Sequence, residues 1–294
     1  TPYTSSAASD VYKRQAVGTW VEEGRGAIIS LPGVPYEMKI IMEEEVLPRI
    51  HARYDVEPLF VQWIMTAGQG ESSLSVALES IEQSMPKGVA LAYLPSLQGV
   101  RLRLTSSNEL EKESKEIARA IEDRLGQLVF AKENTTLSHV VHNLLVEHKI
   151  KLVLAESCTG GNIMATLVKH PGSSQYLLGG HVVYSNDWKH KEIDVKKDLI
   201  ASCGAVSEEV ARSMAEGAMA NAHSDMALAV TGIAGPEGGS PTKPVGTVHI
   251  ALCYNKTTYH KKFNLHTDRA VNIALTTTLA LNMIRLALQG SLEA

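Results

Sequence analysis

The sequence predicts an α/β protein with a C-terminal three-layer α/β/α domain built on a mixed sheet. A small α+β middle domain and a fragment of a further α/β domain precede it. In the C-terminal half, short apolar runs typical of buried strands alternate with segments whose apolar residues recur at helical spacing. Two neighbouring β-patterned runs, 246–254 and 259–265, predict an antiparallel pair and therefore a mixed sheet. With 294 residues, 44% of them hydrophobic, the chain is long enough for two or three packed domains.

Composition and charge exclude several classes of function. The formal net charge is −4, and no dominant Lys/Arg cluster provides an electrostatic footprint for direct binding of nucleic acid. The apolar tract at 270–288 contains Asn272, Arg285 and several threonines, which predicts a core helix and not a membrane span. The three cysteines have no paired spacing and no signal peptide precedes them, so we expect a reducing, cytoplasmic setting.

The first two segments of the chain do not predict a complete domain. Residues 1–15 are rich in Ser, Ala and Thr without periodicity, which is typical of a non-native lead. Within 16–54 the pattern predicts a strand at 27–31, a turn at 32–35 and a helix at 36–50. Because one strand and one helix cannot enclose a core, we interpret 16–54 as the C-terminal remnant of a larger domain.

Residues 55–134 predict the small α+β middle domain. Its elements, in order, are a strand at 59–64, a helix after Gly70, strands at 89–94 and 100–104, and a helix from Asn108. In the third strand Arg101 and Arg103 alternate with apolar residues, which indicates a sheet with one solvated face. We interpret both arginines as solvated side chains and not as nucleic-acid contacts.

Residues 135–294 contain the features that point to chemistry. The pattern predicts a helix at 137–145, strands at 150–154, 176–184 and 226–230, helices at 162–168 and from Ser207, the antiparallel pair, and a terminal helix. Polar loops at 156–161, 185–189 and 231–239 follow the three strands, with a serine, a lysine and a threonine at their exits. One such loop is typically a surface turn, but in an open α/β sheet three of them meet at one edge and predict a ligand site.

Ser157 is the candidate nucleophile, and it needs a base because a hydroxyl is not usefully ionised near neutral pH. No Ser-His-Asp triad or Gly-x-Ser-x-Gly elbow is present, which leaves Lys189 as the candidate base. A neutral lysine requires lowering its pKa from about 10.4 to near 7–8, about 4 kcal/mol, in a desolvated pocket such as Tyr184 and Trp188 would line. Cys158 is a rival nucleophile, but on extended backbone it points away from Ser157, so we interpret it as a packing residue.

Two further patterns approach binding motifs without matching them. The segment 238–243 lacks the Gly-Lys-Ser/Thr of a P-loop, although its backbone amides can bind a phosphate or an oxyanion. His139 and His142 are spaced like zinc ligands on a helix, but the sequence shows no third ligand. We therefore expect no metal site.

Several motifs resemble the CinA family in order and spacing, and they cover nearly all of 135–294. They are AESCTGG at 155–161, PGSS at 171–174, YSN at 184–186, GAVS at 204–207, TGIAGPEGG at 231–239 and KPVGT at 243–247. Upstream, LPGVPYEM at 31–38 resembles the end of the family's molybdopterin-binding-like N-terminal domain, and 55–134 is similar to its small middle domain.

The resemblance implies a nicotinamide mononucleotide deamidase, an amidohydrolase that forms nicotinate mononucleotide and ammonia in pyridine nucleotide (NAD) recycling. By motif it implies Ser157 as nucleophile and Lys189 as base, with Tyr184 and Thr231 needed for activity. The substrate-binding positions that it implies are Thr159, Gly160, Gly161, Asn186, Gly232 and Arg269. The amides of 159–161 would face an oxyanion, and Arg269 would bind the nucleotide phosphate or lower the lysine pKa.

We expect no cofactor and no metal in this chain. We expect a homo-oligomer that takes a small-molecule nucleotide substrate and binds neither membrane nor nucleic acid directly. Because only the tail of the N-terminal domain precedes residue 55, we expect ADP-ribose pyrophosphatase activity to be absent from this chain. The alternatives are a non-catalytic interaction protein associated with competence and DNA damage, and a nucleotide-binding module in which Ser157 only caps a helix.

Overall fold

The structure is a computed structural model that describes residues 18–24, 26–54, 57–265 and 268–292. The chain divides into two compact units, Thr1–Pro58 and Leu59–Ala294. The segment predicted to be a non-native lead, 1–15, lies outside the described residues.

The N-terminal unit contains a hairpin and a helical segment. Strands β1 (Thr19–Glu23) and β2 (Gly26–Ser30) pair antiparallel, and helices α1 (Pro35–Ile41) and α2 (Leu47–Arg53) are joined by a π-helical turn, Met42–Val46. The sequence predicted only the second strand of this hairpin. Among the described residues of this unit only Val46 is buried, so the unit encloses no core of its own.

The second unit begins with a four-stranded antiparallel sheet covered by two helices. Its elements are β3 (Phe60–Thr66), α3 (Glu71–Gln83), β4 (Ala90–Ser96), β5 (Gly99–Ser106), α4 (Glu111–Leu125) and β6 (Val129–Ala131). The strand order is β4-β5-β3-β6. Val100, Leu102 and Leu104 are buried against the helices while Arg101 and Arg103 are exposed, as the alternation predicted. The short strand β6 was not predicted.

A five-stranded mixed sheet forms the centre of the C-terminal part. Its strands are β7 (Leu152–Glu156), β8 (Leu177–Val182), β9 (Met226–Gly232), β10 (Thr247–Tyr254) and β11 (Thr257–Asn264). The order is β11-β10-β9-β7-β8, with β7 parallel to β8 and β9 and with β10 antiparallel to both of its neighbours. This topology confirms the predicted mixed sheet and brings the carboxyl ends of β7, β8 and β9 to one edge.

Helices cover both faces of this sheet. In chain order they are α5 (Leu137–Glu147), α6 (Asn162–Leu167), α7 (Asn186–Ile193), α8 (Lys197–Cys203), α9 (Glu208–Ala222) and α10 (Arg269–Leu288). Leu152 and Leu154 of β7 face α5, α6 and α10, whereas Val153 and Ala155 face α9. The predicted three-layer α/β/α architecture is thereby confirmed.

Helix α10 is a core helix of this domain. By length and composition alone it is apolar enough to cross a membrane, and no other helix among the described residues is. Its polar side chains Asn272, Thr276, Thr277 and Arg285 are nevertheless buried within the protein. This burial agrees with the core helix that the sequence predicted.

Arg285 of α10 joins the C-terminal domain to the four-stranded sheet. Its side chain is 2% exposed, and Nη2 donates to Gln127 O at 2.7 Å while Nη1 approaches Val129 O at 3.4 Å. Nε donates to Asn282 Oδ1 at 2.9 Å, and Nη1 also donates to Gln289 Oε1 at 2.9 Å. Burial lowers the pKa of Arg285 to about 10.

Replacing Arg285 with methionine should destabilise the Leu59–Ala294 unit by about 2–4 kcal/mol, because buried carbonyls then lose their donor. The measurement is the free energy of unfolding in urea. Arg119→Met, on the exposed surface of α4, is the matched control and should change this free energy by less than about 0.5 kcal/mol. Equal stability of Arg285→Met and the wild type would show that the guanidinium does not join the two parts.

Candidate active site

The parallel pairing of β7 and β9 places Ser157 and Thr231 at the same edge of the sheet. Ser157 is the first residue after β7, and its N–H donates to Val230 O of β9 at 3.0 Å. Thr231 is the second-to-last residue of β9. Ser157 and Thr231 lie on the face covered by α9, because they continue the side-chain alternation of Ala155 and Ala229. The strand exits predicted to converge therefore do so.

A tight turn connects Ser157 to helix α6, and Glu156 holds it in place. Gly160 and Gly161 have φ of +60° and +96°, a conformation that favours glycine. The carboxylate of Glu156, 2% exposed, accepts hydrogen bonds from the amides of Gly161, Ile163 and Met164 at 3.0, 3.1 and 2.9 Å. This carboxylate supplies the acceptors that the start of a helix lacks. We did not predict this role, although an acidic residue before a helix start is a readable signal.

A helix brings Lys189 to Ser157, although the polar segment 185–189 predicts a loop. Residues 186–193 form α7, and Ser185 is its N-cap, with Oγ accepting from Trp188 N at 3.1 Å. The helix ends against α9 at Gly217, where a Cβ would stand 2.0 Å from Ile193 O. The close approach requires glycine and lets the end of α7 pack directly against α9.

The side chains of Lys189 and Ser157 are in contact and buried. Lys189 is 1% exposed and Ser157 is 7% exposed, and Lys189 Nζ lies 3.0 Å from Ser157 Oγ. Nζ also donates to Val183 O at 2.9 Å and to Tyr184 O at 3.3 Å. The predicted nucleophile and base are therefore within hydrogen-bond distance.

The surroundings of Lys189 disfavour its charged form. Burial lowers the pKa of Lys189 below the usual value for lysine, and in the described part of the chain no carboxylate pairs with Nζ. A neutral lysine has two N–H groups and one lone pair. The carbonyls of Val183 and Tyr184 accept the two N–H groups, and the Ser157 hydroxyl can donate to the lone pair. The three oxygens accommodate either the ammonium or the neutral amine, and burial shifts the balance toward the neutral amine.

Cys158 lies on the opposite side of the backbone from Ser157. It is 6% exposed and packs in the core between the sheet and helices α5, α6 and α10. Burial raises the pKa of the Cys158 thiol to about 12, which keeps it protonated at neutral pH. The interpretation of Cys158 as a packing residue agrees with this position.

Thr231 and Gly232 form the end of β9 beside the Lys–Ser pair. Thr231 is 1% exposed, and its Oγ1 donates to Ala205 O at 2.8 Å, in the loop before α9. A Cβ on Gly232 would stand 2.8 Å from Val248 Cγ2 and 3.1 Å from Cys158 Sγ. Close packing at the end of β9 accounts for this glycine.

Arg269 and Tyr184 form the outer side of the site. Arg269, the first residue of α10, donates from Nη2 to Tyr184 Oη at 2.8 Å and from Nη1 to Gly235 O at 2.8 Å. The Tyr184 side chain is 59% exposed, and Asn186 is exposed in the first turn of α7. These three side chains remain accessible to a ligand.

The expected oxyanion site at 159–161 needs a correction for two of its amides. Gly160 N–H donates to Ser157 O at 3.1 Å, and Gly161 N–H donates to Glu156 Oε2 at 3.0 Å. Both are therefore engaged within the turn. Thr159 differs, because it is 4% exposed and its Oγ1 finds no hydrogen-bond partner among the described residues. A buried hydroxyl without a partner is a donor available to a ligand.

A third histidine joins the pair noted in the sequence. The ring centroids of His139 and His142 are 6.1 Å apart. The ring centroid of His170 lies 5.5 Å from that of His139 and 5.3 Å from that of His142. His142 Nδ1 is 3.3 Å from Tyr176 Oη, and His170 Nε2 is 3.0 Å from Ser138 Oγ. Within the residues that the structure describes, no group of three or more His, Cys, Asp or Glu side chains is arranged to hold a metal ion.

Two family models match the chain. Residues 134–288, more than half of the chain, match the model described as the CinA C-terminal domain. Residues 62–131 match the model described as the damage-inducible protein CinA KH domain. The two matches meet between 131 and 134, close to the domain boundary expected from the sequence.

Relatives and solved structures agree with these matches. The chain is 40% identical over 272 residues to a CinA-like protein of Chlorobium phaeobacteroides, covering 90% of this chain and 64% of that protein. It is 37% identical over 279 residues to a CinA-like protein of Chloroherpeton thalassium, covering 92% of this chain and 66% of that protein. The chain thus spans just under two thirds of the length of these relatives.

Among solved structures, the competence/damage inducible protein CihA of Agrobacterium tumefaciens superposes with a TM-score of 0.50 and 36% identity, covering 52% of this chain and 93% of that chain. A CinA superfamily protein from Klebsiella pneumoniae superposes with a TM-score of 0.51 and 30% identity, covering 52% of this chain and 96% of that chain.

Proposed function

The chain belongs to the CinA family, and we propose that its C-terminal domain is an amidohydrolase that converts nicotinamide mononucleotide to nicotinate mononucleotide and ammonia. The observation that supports this most strongly is the buried contact of 3.0 Å between Lys189 Nζ and Ser157 Oγ. A lysine buried without a carboxylate partner is costly to charge, and such groups occur at functional sites. A Ser–Lys pair of this kind suits acyl transfer.

In the proposed first half-reaction, neutral Lys189 takes the proton of Ser157 as Oγ attacks the carboxamide carbon. The new C–O bond forms while the electron pair of the C=O bond moves to the oxygen. Lys189, now protonated, gives its proton to the amide nitrogen, the C–N bond breaks, and ammonia leaves. The product is an ester between the nicotinoyl group and Ser157.

In the second half-reaction, water replaces ammonia. Lys189 removes a proton from the water as it attacks the ester carbon, and then returns a proton to Ser157 Oγ as the C–O bond to serine breaks. The serine hydroxyl is restored and the product leaves as the carboxylic acid, which gives its proton to water and becomes the nicotinate carboxylate. We assign the oxyanion of either tetrahedral intermediate to the hydroxyl of Thr159, two residues after Ser157, because its Oγ1 has no hydrogen-bond partner among the described residues.

The accessible side chains of Arg269, Tyr184 and Asn186 would bind the ribose phosphate part of the substrate. The guanidinium of Arg269 would bind the phosphate, since a guanidinium can donate two parallel hydrogen bonds to two phosphate oxygens. Its contacts with Tyr184 Oη and Gly235 O fix the direction of the guanidinium before a ligand arrives. We also propose that the protein acts on this free nucleotide as a homo-oligomer and needs no cofactor.

The test is to incubate the purified chain with nicotinamide mononucleotide and to measure ammonia and nicotinate mononucleotide together. Release of the two products in equal amounts supports the proposal. Absence of both from a folded wild-type protein would favour the alternative, a non-catalytic interaction protein associated with competence or DNA damage.

A further inference from the structure

A line of three polar side chains lies on the same sheet face as the Lys–Ser pair. His249 of β10 is 7% exposed, and its Nδ1 is 3.0 Å from His260 Nε2 of β11. The two rings are stacked, with centroids 5.1 Å apart. His260 Nδ1 is 3.2 Å from Glu208 Oε2, in the first turn of α9, and the His260 side chain is 9% exposed. We call these three residues the Glu208–His260–His249 chain.

The contacts within the Glu208–His260–His249 chain determine which nitrogen of each histidine carries the proton. Glu208 is an ionised acceptor, since Arg212 Nε donates to its Oε1 at 2.8 Å and this contact lowers the pKa of Glu208. His260 Nδ1 lies 3.2 Å from Oε2, and a lone pair on Nδ1 would be repelled by the carboxylate, so Nδ1 holds the proton. In neutral His260 this leaves Nε2 as an acceptor, so His249 Nδ1 holds the proton between the two rings. His249 Nε2 is then an unprotonated acceptor.

The Glu208–His260–His249 chain is linked to Thr231 at both of its ends. His249 stands directly across from Thr231 in the β9–β10 ladder, so the two side chains are neighbours. Thr231 Oγ1 donates to Ala205 O, and Ser207 Oγ donates to Gly204 O in the same loop. Ser207 is also the N-cap of α9 and immediately precedes Glu208. Thr231, the loop at 204–207, Glu208 and the two histidines therefore constrain one another.

Both imidazoles are held neutral by their surroundings. Burial, with help from His260 and from Lys262 and Lys243, lowers the pKa of His249 to about 4. Burial also lowers the pKa of His260, and Arg212 adds to this effect while Glu208 and Glu209 oppose it. Glu208 likewise opposes the shift on His249. Near neutral pH the tautomers derived above are therefore the relevant forms.

We propose that the Glu208–His260–His249 chain is a positioning relay: it fixes the tautomer and the ring of His249 beside Thr231, and through Glu208 it holds the loop at 204–207 in place for the reaction at Ser157. The catalytic part of this inference rests on the proposed deamidase activity. The tautomeric part does not, because it follows from the contacts among Glu208, His260 and His249 alone.

The tautomeric part is tested by long-range ¹H–¹⁵N correlation spectra of the full chain labelled with ¹⁵N-histidine. The signals are assigned with His249→Gln and His260→Gln. Both histidines should be protonated at Nδ1 and unprotonated at Nε2. In Glu208→Gln the side-chain amide can donate to His260 Nδ1, so a second tautomer should appear at both rings. Glu209→Gln, the neighbouring carboxylate in the same helical turn, should leave the spectrum unchanged. An Nε2–H tautomer of His249 in the wild type would overturn the relay.

The positioning part is tested by the deamidase kinetics of the same variants. Glu208→Gln should lower kcat about tenfold with little change in KM, because small displacements of a site residue act on the chemical step. Glu209→Gln should match the wild type in both constants. A Glu208→Gln variant with altered tautomers and wild-type kcat would overturn the positioning role. If the wild type itself has no deamidase activity, the proposed function fails, and the spectra still decide whether the relay exists.

Discussion

Replacing Lys189 with methionine should reduce ammonia release from nicotinamide mononucleotide by about 10³-fold or more, because general acid–base catalysis of this kind contributes about 10²–10⁴-fold. The same variant should gain stability relative to the wild type as the pH falls. Methionine fills the volume of the buried stem but does not titrate. Loss of activity combined with a pH-dependent gain in stability is the expected signature of a lysine that is buried for chemistry.

The sign of the stability effect follows from the lowered pKa of Lys189. In the unfolded chain the lysine binds a proton below about 10.4, whereas the folded protein resists that proton until the pH reaches the lower folded value. Between these two values the unfolded state binds more protons, so the wild type loses stability as the pH falls. The difference in unfolding free energy between Lys189→Met and wild type should therefore grow, by up to about 1.4 kcal/mol per pH unit.

Denaturant unfolding at several pH values from 7 to 11 measures this difference. Lys191→Met is the matched control, because Lys191 lies on the same helix but is exposed and paired with Asp187 at 2.6 Å. It should show no comparable growth in stability toward low pH. A constant difference between Lys189→Met and the wild type over the whole range would mean that burial does not lower the pKa of Lys189.

Replacing Ser157 with alanine should lower the rate of ammonia release by at least about 10³-fold, because the variant has no nucleophile to form the acyl-enzyme. Cys158→Ala is the matched control, one residue away on the opposite side of the backbone. It should keep the activity within about threefold while losing a small amount of stability. Wild-type rates in Ser157→Ala, or loss of activity confined to Cys158→Ala, would contradict the assignment of the nucleophile.

The sequence contained enough information for the three-layer architecture and for the meeting of Ser157, Lys189 and Thr231. Hydrophobic periodicity located β7 and β9, and the rule that parallel strands end at one edge then brought their loops together. The opposite orientations of Ser157 and Cys158 followed from the alternation of side chains along extended backbone. These inferences succeeded because each depends on local pattern or on a rule of topology.

Features that depend on contacts distant in the sequence were missed. The polar segment 185–189 predicts a loop, whereas Asn186–Ile193 forms helix α7. Few apolar residues recur at helical spacing there, and packing of α9 on the end of the helix stabilises it instead. The hydrogen bond from the Gly161 amide to Glu156 depends on the side-chain conformation of Glu156, which the spacing of residues in the sequence does not reveal. The Glu208–His260–His249 chain joins a helix to two strands, and only the register of the sheet brings its members together.

In the proposed mechanism neutral Lys189 is the base for Ser157, and the pH dependence of kcat/KM for nicotinamide mononucleotide tests this role most directly. The profile reports the pKa of the essential base in the free enzyme. Because burial lowers the pKa of Lys189, the activity should rise with pH along a limb whose midpoint lies well below the ordinary lysine value of about 10.4. Activity that rises only near 10.4 would contradict the proposed mechanism.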